Sequence, residues 1–203
     1  MVDLPAAKGA LAELEPALIR AHEVATKRWA DLCKQQPEMA SPCNTTTRAN
    51  FIHNHVEFQI SREVEELPGV TVAEGLGFTA LQVGTAILLR FKYVGRGCPQ
   101  NVSTTQQRLL AKQTFTEDML LALDVDSALT PPTMLTCGYT LQDGKLGRIE
   151  IRRDCKGHQP WYYDIHGGKA SAQPLVFDGM TDDAKPARIS KPKKKRAGLE
   201  GTA

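Results

Sequence analysis

Along the first third of the chain the apolar residues fall at three- and four-residue steps. Leu11, Leu14, Leu18, Ala21, Ala25 and Leu32 make one such stripe, which predicts a helix from about Ala7 to Gln36 with a single buried face. Pro16 interrupts it. Either a short turn ends at Glu15, or Pro16 occupies the first turn of the main helix, where its missing N–H costs little. Trp29 lies beside the stripe, placed to dock the helix on the rest of the protein. Pro37 to Thr47 reads as a polar connector, and Thr46 or Thr47 is a candidate cap for a second helix over about Arg48 to Leu67. On that helix Phe51, His55, Phe58 and Arg62 share one face, while Ile52, Val56 and Ile60 share another. Pro68-Gly69 ends it.

The period then changes to two. Val70–Ala73, Phe78–Val83 and Thr85–Val94 read as strands, with a turn at Gly84. In the last of them Ile87, Leu89, Phe91 and Tyr93 point one way and Leu88, Arg90 and Lys92 the other, the pattern of an antiparallel sheet covered on one face. Short helices are predicted over Thr105–Gln113 and Glu117–Leu123, the second with Glu117 and Asp118 in the turn where the helix dipole favours negative charge. After Pro131-Pro132 come three strands, Thr133–Leu141, Gly147–Arg153 and Gln159–Ile165. Their links, Gln142-Asp143-Gly144-Lys145 and Lys156-Gly157-His158, are hairpin chemistry. The pattern fails after Gly168. The expected fold class is therefore α+β: N-terminal helices (7–67), then short helices and a mostly antiparallel sheet of five or six strands (70–165) ending in a three-stranded meander, with helices on one face. Residues 1–168 form a single domain in this reading, and 169–203 a disordered basic tail.

Composition refines this picture. The chain has 203 residues, 41% hydrophobic and 24% charged, ordinary values for a globular protein. The net charge of +2 hides an asymmetry. From Thr181 onward there are seven Lys or Arg against three Asp or Glu, leaving 18 basic and 20 acidic residues in the remainder. The folded part is mildly acidic, so it carries no general electrostatic footprint for nucleic acid. The odd count of five widely spaced cysteines (Cys33, Cys43, Cys98, Cys137 and Cys155) and a start without an apolar run of signal length point to reduced thiols in a cytoplasmic protein. No apolar stretch approaches the ~20 residues a spanning helix needs, so no membrane partner is expected.

Candidate chemistry is sparse. His53 and His55 stand two residues apart, which on a helix turns them to different sides and prevents a shared metal. The spacing of Cys33 and Cys43 fits no closed zinc pattern; no metal site and no cofactor are expected. Arg148, Glu150 and Arg152 alternate on one strand face and read as a solvated one. Glu150-Ile151-Arg152 touches the acidic end of some magnesium nuclease sites, which need a second acid such as Asp164 or Glu74. Arg90 and Lys92, with Gln106 and Gln107 on the following short helix and Arg152 from the meander, form the candidate site. They could bind an anion, a phosphate backbone or an acidic protein surface. Lys193, Lys194, Lys195 and Arg196 in the tail add a run able to hold polyanions by counterion release. No catalytic motif is identified.

Arg90-Phe91-Lys92 after an apolar strand, Thr105-Gln106-Gln107 after a loop, Gly138-Tyr139-Thr140-Leu141 in the next strand and Trp161-Tyr162 in the last resemble a set of small bacterial and prophage proteins. These look like the toxin half of two-gene defence pairs of the Rosmer type, and the resemblance covers roughly Phe78 to Ile165. It implies a bacterial or phage-encoded toxin or effector whose partner is an antitoxin with a helix-turn-helix and a metallopeptidase-like domain. It implies no catalytic residues. Two alternatives stand beside it: a non-catalytic nucleic-acid-binding accessory protein, and a metal-dependent nuclease.

Overall fold

A computed structural model of the chain describes residues 2–75, 78–95, 98–99, 109, 113–122, 131–142, 145–153, 161–167 and 173–174. Two long helices form one layer. Helix α1 (Leu4–Leu11) is capped by Asp3, whose carboxylate accepts from the Ala6 N–H at 2.9 Å. A turn at 12–14 leads into α2 (Glu15–Gln35), with Pro16 in its first turn, the second of the two arrangements the sequence allows. A single turn, α3 (Pro37–Ala40), precedes α4 (Thr45–Glu63). The cap of α4 is Asn44 rather than Thr46 or Thr47. Its side chain accepts from the Thr47 N–H at 2.9 Å, so the helix begins earlier than its apolar stripe alone suggests. Ala17, Leu18, Ala21, Ala25 and Trp29 of α2 and Ile52, Val56 and Ile60 of α4 are buried, as their 3.6-residue spacing requires.

The second layer is a mixed sheet. Strands β1 (Val70–Gly75), β2 (Phe78–Val83) and β3 (Ile87–Gly95) form one antiparallel meander, and β5 (Thr133–Gln142), β6 (Lys145–Arg153) and β7 (Trp161–Asp164) form another. Two-residue strands flank these six: β4 (Cys98–Pro99) pairs with β3, and β8 (Gln173–Pro174) pairs with β7. Within the tail expected to be disordered from Lys169 onward, Gln173–Pro174 is the described part and forms β8; the rest, including the basic run, lies outside the described residues. The meanders meet through β3 and β5, which run parallel from Ile87 opposite Thr133 to Tyr93 opposite Tyr139.

That parallel junction corrects the expectation of helices on one face. A hairpin cannot join parallel neighbours; they need a crossover connection. The crossover carries a short helix, α5 (Glu117–Ala122). Its Leu120 packs with Ala73, Leu88 and Met134 on the face opposite α2 and α4. Gln113 anchors the connection: its amide N–H₂ donates to the Met134 carbonyl at 3.0 Å and its oxygen accepts from the Met134 N–H at 2.7 Å. The helix expected over Thr105–Gln113 lies almost wholly outside the described residues.

On the helical side the core joins α1, α2 and α4 to Leu81, Ile87, Leu89, Phe91, Leu135, Cys137, Tyr139, Ile149, Ile151 and Tyr163. Two tyrosines cross this core with their hydroxyls satisfied: Tyr139 donates to the Ala49 carbonyl at 3.1 Å, and Tyr163 to Glu15 at 2.9 Å. Burial pushes the hydroxyl pKa of both above the usual range. Cys33, Cys43 and Cys137 are free thiols. No helix among the described residues is long and apolar enough to cross a membrane.

At the centre of this core lies His22, fully buried on α2. Its Nδ1 is 2.7 Å from the Leu18 carbonyl, which can only accept, so Nδ1 carries the proton. Nε2 is buried without a partner among the described residues, and the ring faces Tyr139 and Phe91 at 5.4 and 6.4 Å. Protonating Nε2 would bury an unsatisfied cation, and burial lowers the pKa to about 4. The unfolded state, with a histidine pKa of about 6.5, binds the proton first, so stability is full above that pH and declines as pH falls toward 4. For His22 alone the loss is of order 3 kcal/mol. The expected result is a denaturation midpoint that drops between pH 6.5 and 4, and a flatter profile for His22→Phe. A His22→Phe profile identical to the wild type would show that His22 does not drive the pH response.

Candidate functional site

Alternation along β3, β5, β6 and β7 lays two polar rows on the face opposite α2 and α4. In register, Arg90 lies beside Thr136, Thr136 beside Arg152, and Arg152 beside Tyr162; next to this row, Lys92, Gly138, Glu150 and Asp164 follow one another. Three of the candidate residues, Arg90, Lys92 and Arg152, are therefore brought together. Gln106, Gln107 and Lys193–Arg196 lie outside the described residues.

The face is not the solvated one that strand alternation suggests. Arg90 is 5% exposed, Glu150 2% and Arg152 0%. The described part of the crossover packs Leu120 on Leu88 and Met134, next to Arg90 and Thr136 on this face, a cover that a strand-by-strand reading does not see. Buried charge requires partners. Arg152 Nη1 donates to Glu150 Oε1 at 2.9 Å, while Arg148 approaches Oε2 at 3.5 Å. Arg90 Nε donates to the Thr136 hydroxyl at 3.0 Å, tying β3 to β5 across 46 residues of sequence. Gly138 makes room: a Cβ there would collide with Val94 Cγ2, and the Glu150 side chain lies on its other flank.

Arg148 is the accessible member of the group, its side chain 47% exposed. Where the β5–β6 register shifts between Tyr139 and Leu141, two β6 residues, Gly147 and Arg148, stand opposite the single Thr140. At this irregularity the Thr140 hydroxyl accepts from the Arg148 N–H at 2.9 Å. Gly147 permits the approach, since a Cβ there would lie 2.7 Å from that hydroxyl oxygen. The Arg148 guanidinium stands 5.8 Å over the Tyr162 ring. Lys92 is half-buried. Burial and then Arg90 lower its pKa, against the opposing pull of Glu57.

Glu57 and His53 belong to a cluster that sequence reasoning missed. They are one helical turn apart on α4, with His53 Nε2 3.2 Å from Glu57 Oε1. Burial, followed by Lys92, lowers the His53 pKa to about 4, so near neutral pH a neutral imidazole lies beside the carboxylate. Burial raises the Glu57 pKa, partly offset by the Thr79 N–H and Lys92. The i,i+4 spacing of His53 and Glu57 is its signal in the sequence.

The donor set of the polar rows does not suit a divalent cation. Both Glu150 oxygens face guanidinium groups, and Asp164 Oδ1 accepts from the His166 and Gly167 N–H groups at 2.8 and 3.3 Å, capping a turn. A metal would have to displace cations from one carboxylate and backbone donors from the other. Among the described residues no three His, Cys, Asp or Glu side chains converge. Comparison with known proteins gives no match: no family model, no curated protein and no solved structure is significantly similar to this chain.

The buried pair and the glycine give two expected outcomes. Arg152→Ala strands Glu150 and should cost about 3–5 kcal/mol, whereas the double change Glu150→Leu with Arg152→Met should cost much less. Gly138→Ala should cost about 1–3 kcal/mol by overpacking, with partial recovery on adding Val94→Ala. Denaturant titration measures both; a double variant as unstable as Arg152→Ala would show that the stranded carboxylate is not what destabilises the single variant.

Proposed function

We propose that the chain is the growth-inhibiting member of a two-gene defence pair, as the resemblance in its strands implies, and that it acts by binding an anionic partner surface. The observation that supports the binding mode is the charge on one sheet face: Arg90, Lys92, Arg148 and Arg152 against Glu150 and Asp164. Arg90, Glu150 and Arg152 are buried and fixed by hydrogen bonds. They form a rigid base whose excess positive charge reaches a rim of the exposed Arg148 and the half-buried Lys92 and Tyr162. A preorganised cationic rim loses little freedom on meeting a carboxylate or phosphate. The Arg148–Tyr162 stack also suits a base or an aromatic side chain, so a nucleic-acid-binding accessory role is the second reading.

The test is inducible expression in a host lacking the partner gene, with protein levels confirmed. Wild type should arrest growth, and co-expression of the adjacent gene should relieve the arrest. Lys92→Ala with Arg148→Ala should abolish either the arrest or its relief while folding stability stays within about 1 kcal/mol, since neither side chain is fully buried. Arg90→Ala is unsuitable for this purpose because its side chain is buried against Thr136. Harmless wild-type expression would remove the toxin reading, and a double variant that behaves as wild type would remove the site. Binding to single-stranded oligonucleotide that weakens steeply with salt would favour the second reading.

A further inference from the structure

Three large apolar side chains are exposed among the described residues: Met39, Phe58 and Leu121. Phe58 is set apart by its surroundings. On α4 it continues a line through Phe51, His55, Phe58 and Arg62, a stripe about 16 Å long on the outer side of the helical layer. The stripe is held in place from α2. Trp29 meets Phe51 edge-on at 5.3 Å, and the tilted rings of Phe51 and His55 lie 4.4 Å apart. Arg28 Nη1 donates to His55 Nδ1 at 3.2 Å, and the Arg62 guanidinium stands 5.9 Å from the Phe58 ring.

Both guanidinium groups are positioned on rings, and neither has a carboxylate partner among the described residues. The carboxylate contacts of these two helices join Arg20 to Glu63, His53 to Glu57 and His166 to Glu23. An exposed ring flanked by two positioned, uncompensated arginines has the composition of an interface hot spot. We propose that this stripe docks an acidic amphipathic helix of a partner protein, an apolar anchor covering Phe58 and carboxylates reaching Arg28 and Arg62. Because Arg28 sits against His55, two turns before Arg62, the matching carboxylates lie about 10 Å apart along the partner. A nucleic-acid strand fits less well: Glu63, Glu65 and Glu66 follow at the Arg62 end and would repel a continuing row of phosphates. The inference stands apart from the sheet-face reading and shares no residue with it.

The experiment is panning of a displayed random-peptide library against the full chain, followed by binding of labelled synthetic copies of the enriched peptides. The expected sequences carry an apolar anchor between Asp or Glu residues at helical spacing. Their affinity should fall about tenfold or more on Phe58→Ala and on Arg62→Glu, and a peptide with the matching acid changed to Lys should regain affinity for Arg62→Glu. Both altered side chains are exposed, and thermal melts check that the fold is kept. Failure to enrich such peptides, binders indifferent to both substitutions, or displacement by oligothymidine in place of acidic peptide would each overturn the proposal.

Discussion

The seven-residue parallel register between β3 and β5 joins the two meanders into one sheet, and the rest of the structure is arranged around its consequences. Parallel neighbours demand a crossover, and its described part packs Leu120 on Ala73, Leu88 and Met134 on the face opposite the long helices. Arg90, Glu150 and Arg152 are buried charged residues on that same face. Their burial is tolerated because each is given an ionic or hydroxyl partner on its own or the next strand. The cationic rim that supports the functional reading stands on this buried, paired base.

The two faces solve the problem of holding layers together differently. On the helical side apolar packing dominates, and the polar ends of Tyr139 and Tyr163 reach specific acceptors on α4 and α2. Such contacts add directional constraint to a contact surface that is otherwise non-directional. On the crossover side backbone and side-chain amides take that part: Gln113 supplies β5 with one donor and one acceptor at Met134, as a neighbouring strand would. The absence of side-chain bulk at Gly138 lets Val94 and Glu150 close over the junction.

Much of this architecture is legible in the sequence. The stripes of α2 and α4 and the alternation in the six longer strands are strong periodic signals, and observed boundaries differ from the expected ones by a few residues. Strand direction is another matter, because alternation is identical in parallel and antiparallel strands. With direction hidden, the packing of Leu120 on the second face was hidden too, and alternation alone did not reveal the burial of Arg152. The alternating charges of Arg148, Glu150 and Arg152 were a usable hint, being self-neutralising along one strand face. His22 was legible in principle, since it stands one turn from Leu18 and inside the stripe that includes Ala21 and Ala25. The exposed stripe through Phe58 was readable as a shared helix face, but its pairing with Arg28 required the packing of two helices.

The long separation between β3 and β5 also has a meaning in time. A ribosome adding 5–20 residues per second needs roughly 2–9 s to make the 46 residues between Arg90 and Thr136. During that interval the first meander can form, but its β3 edge, Ile87-Leu88-Leu89-Arg90-Phe91-Lys92-Tyr93-Val94, has no strand to pair with. An unpaired apolar edge of this length invites pairing with other chains. Arg90 and Lys92 sit in the middle of it, where like charges on two such edges repel one another. The same two cations that end up against Thr136 and near Glu57 in the finished protein thus place like charges on that edge until its proper neighbour is made.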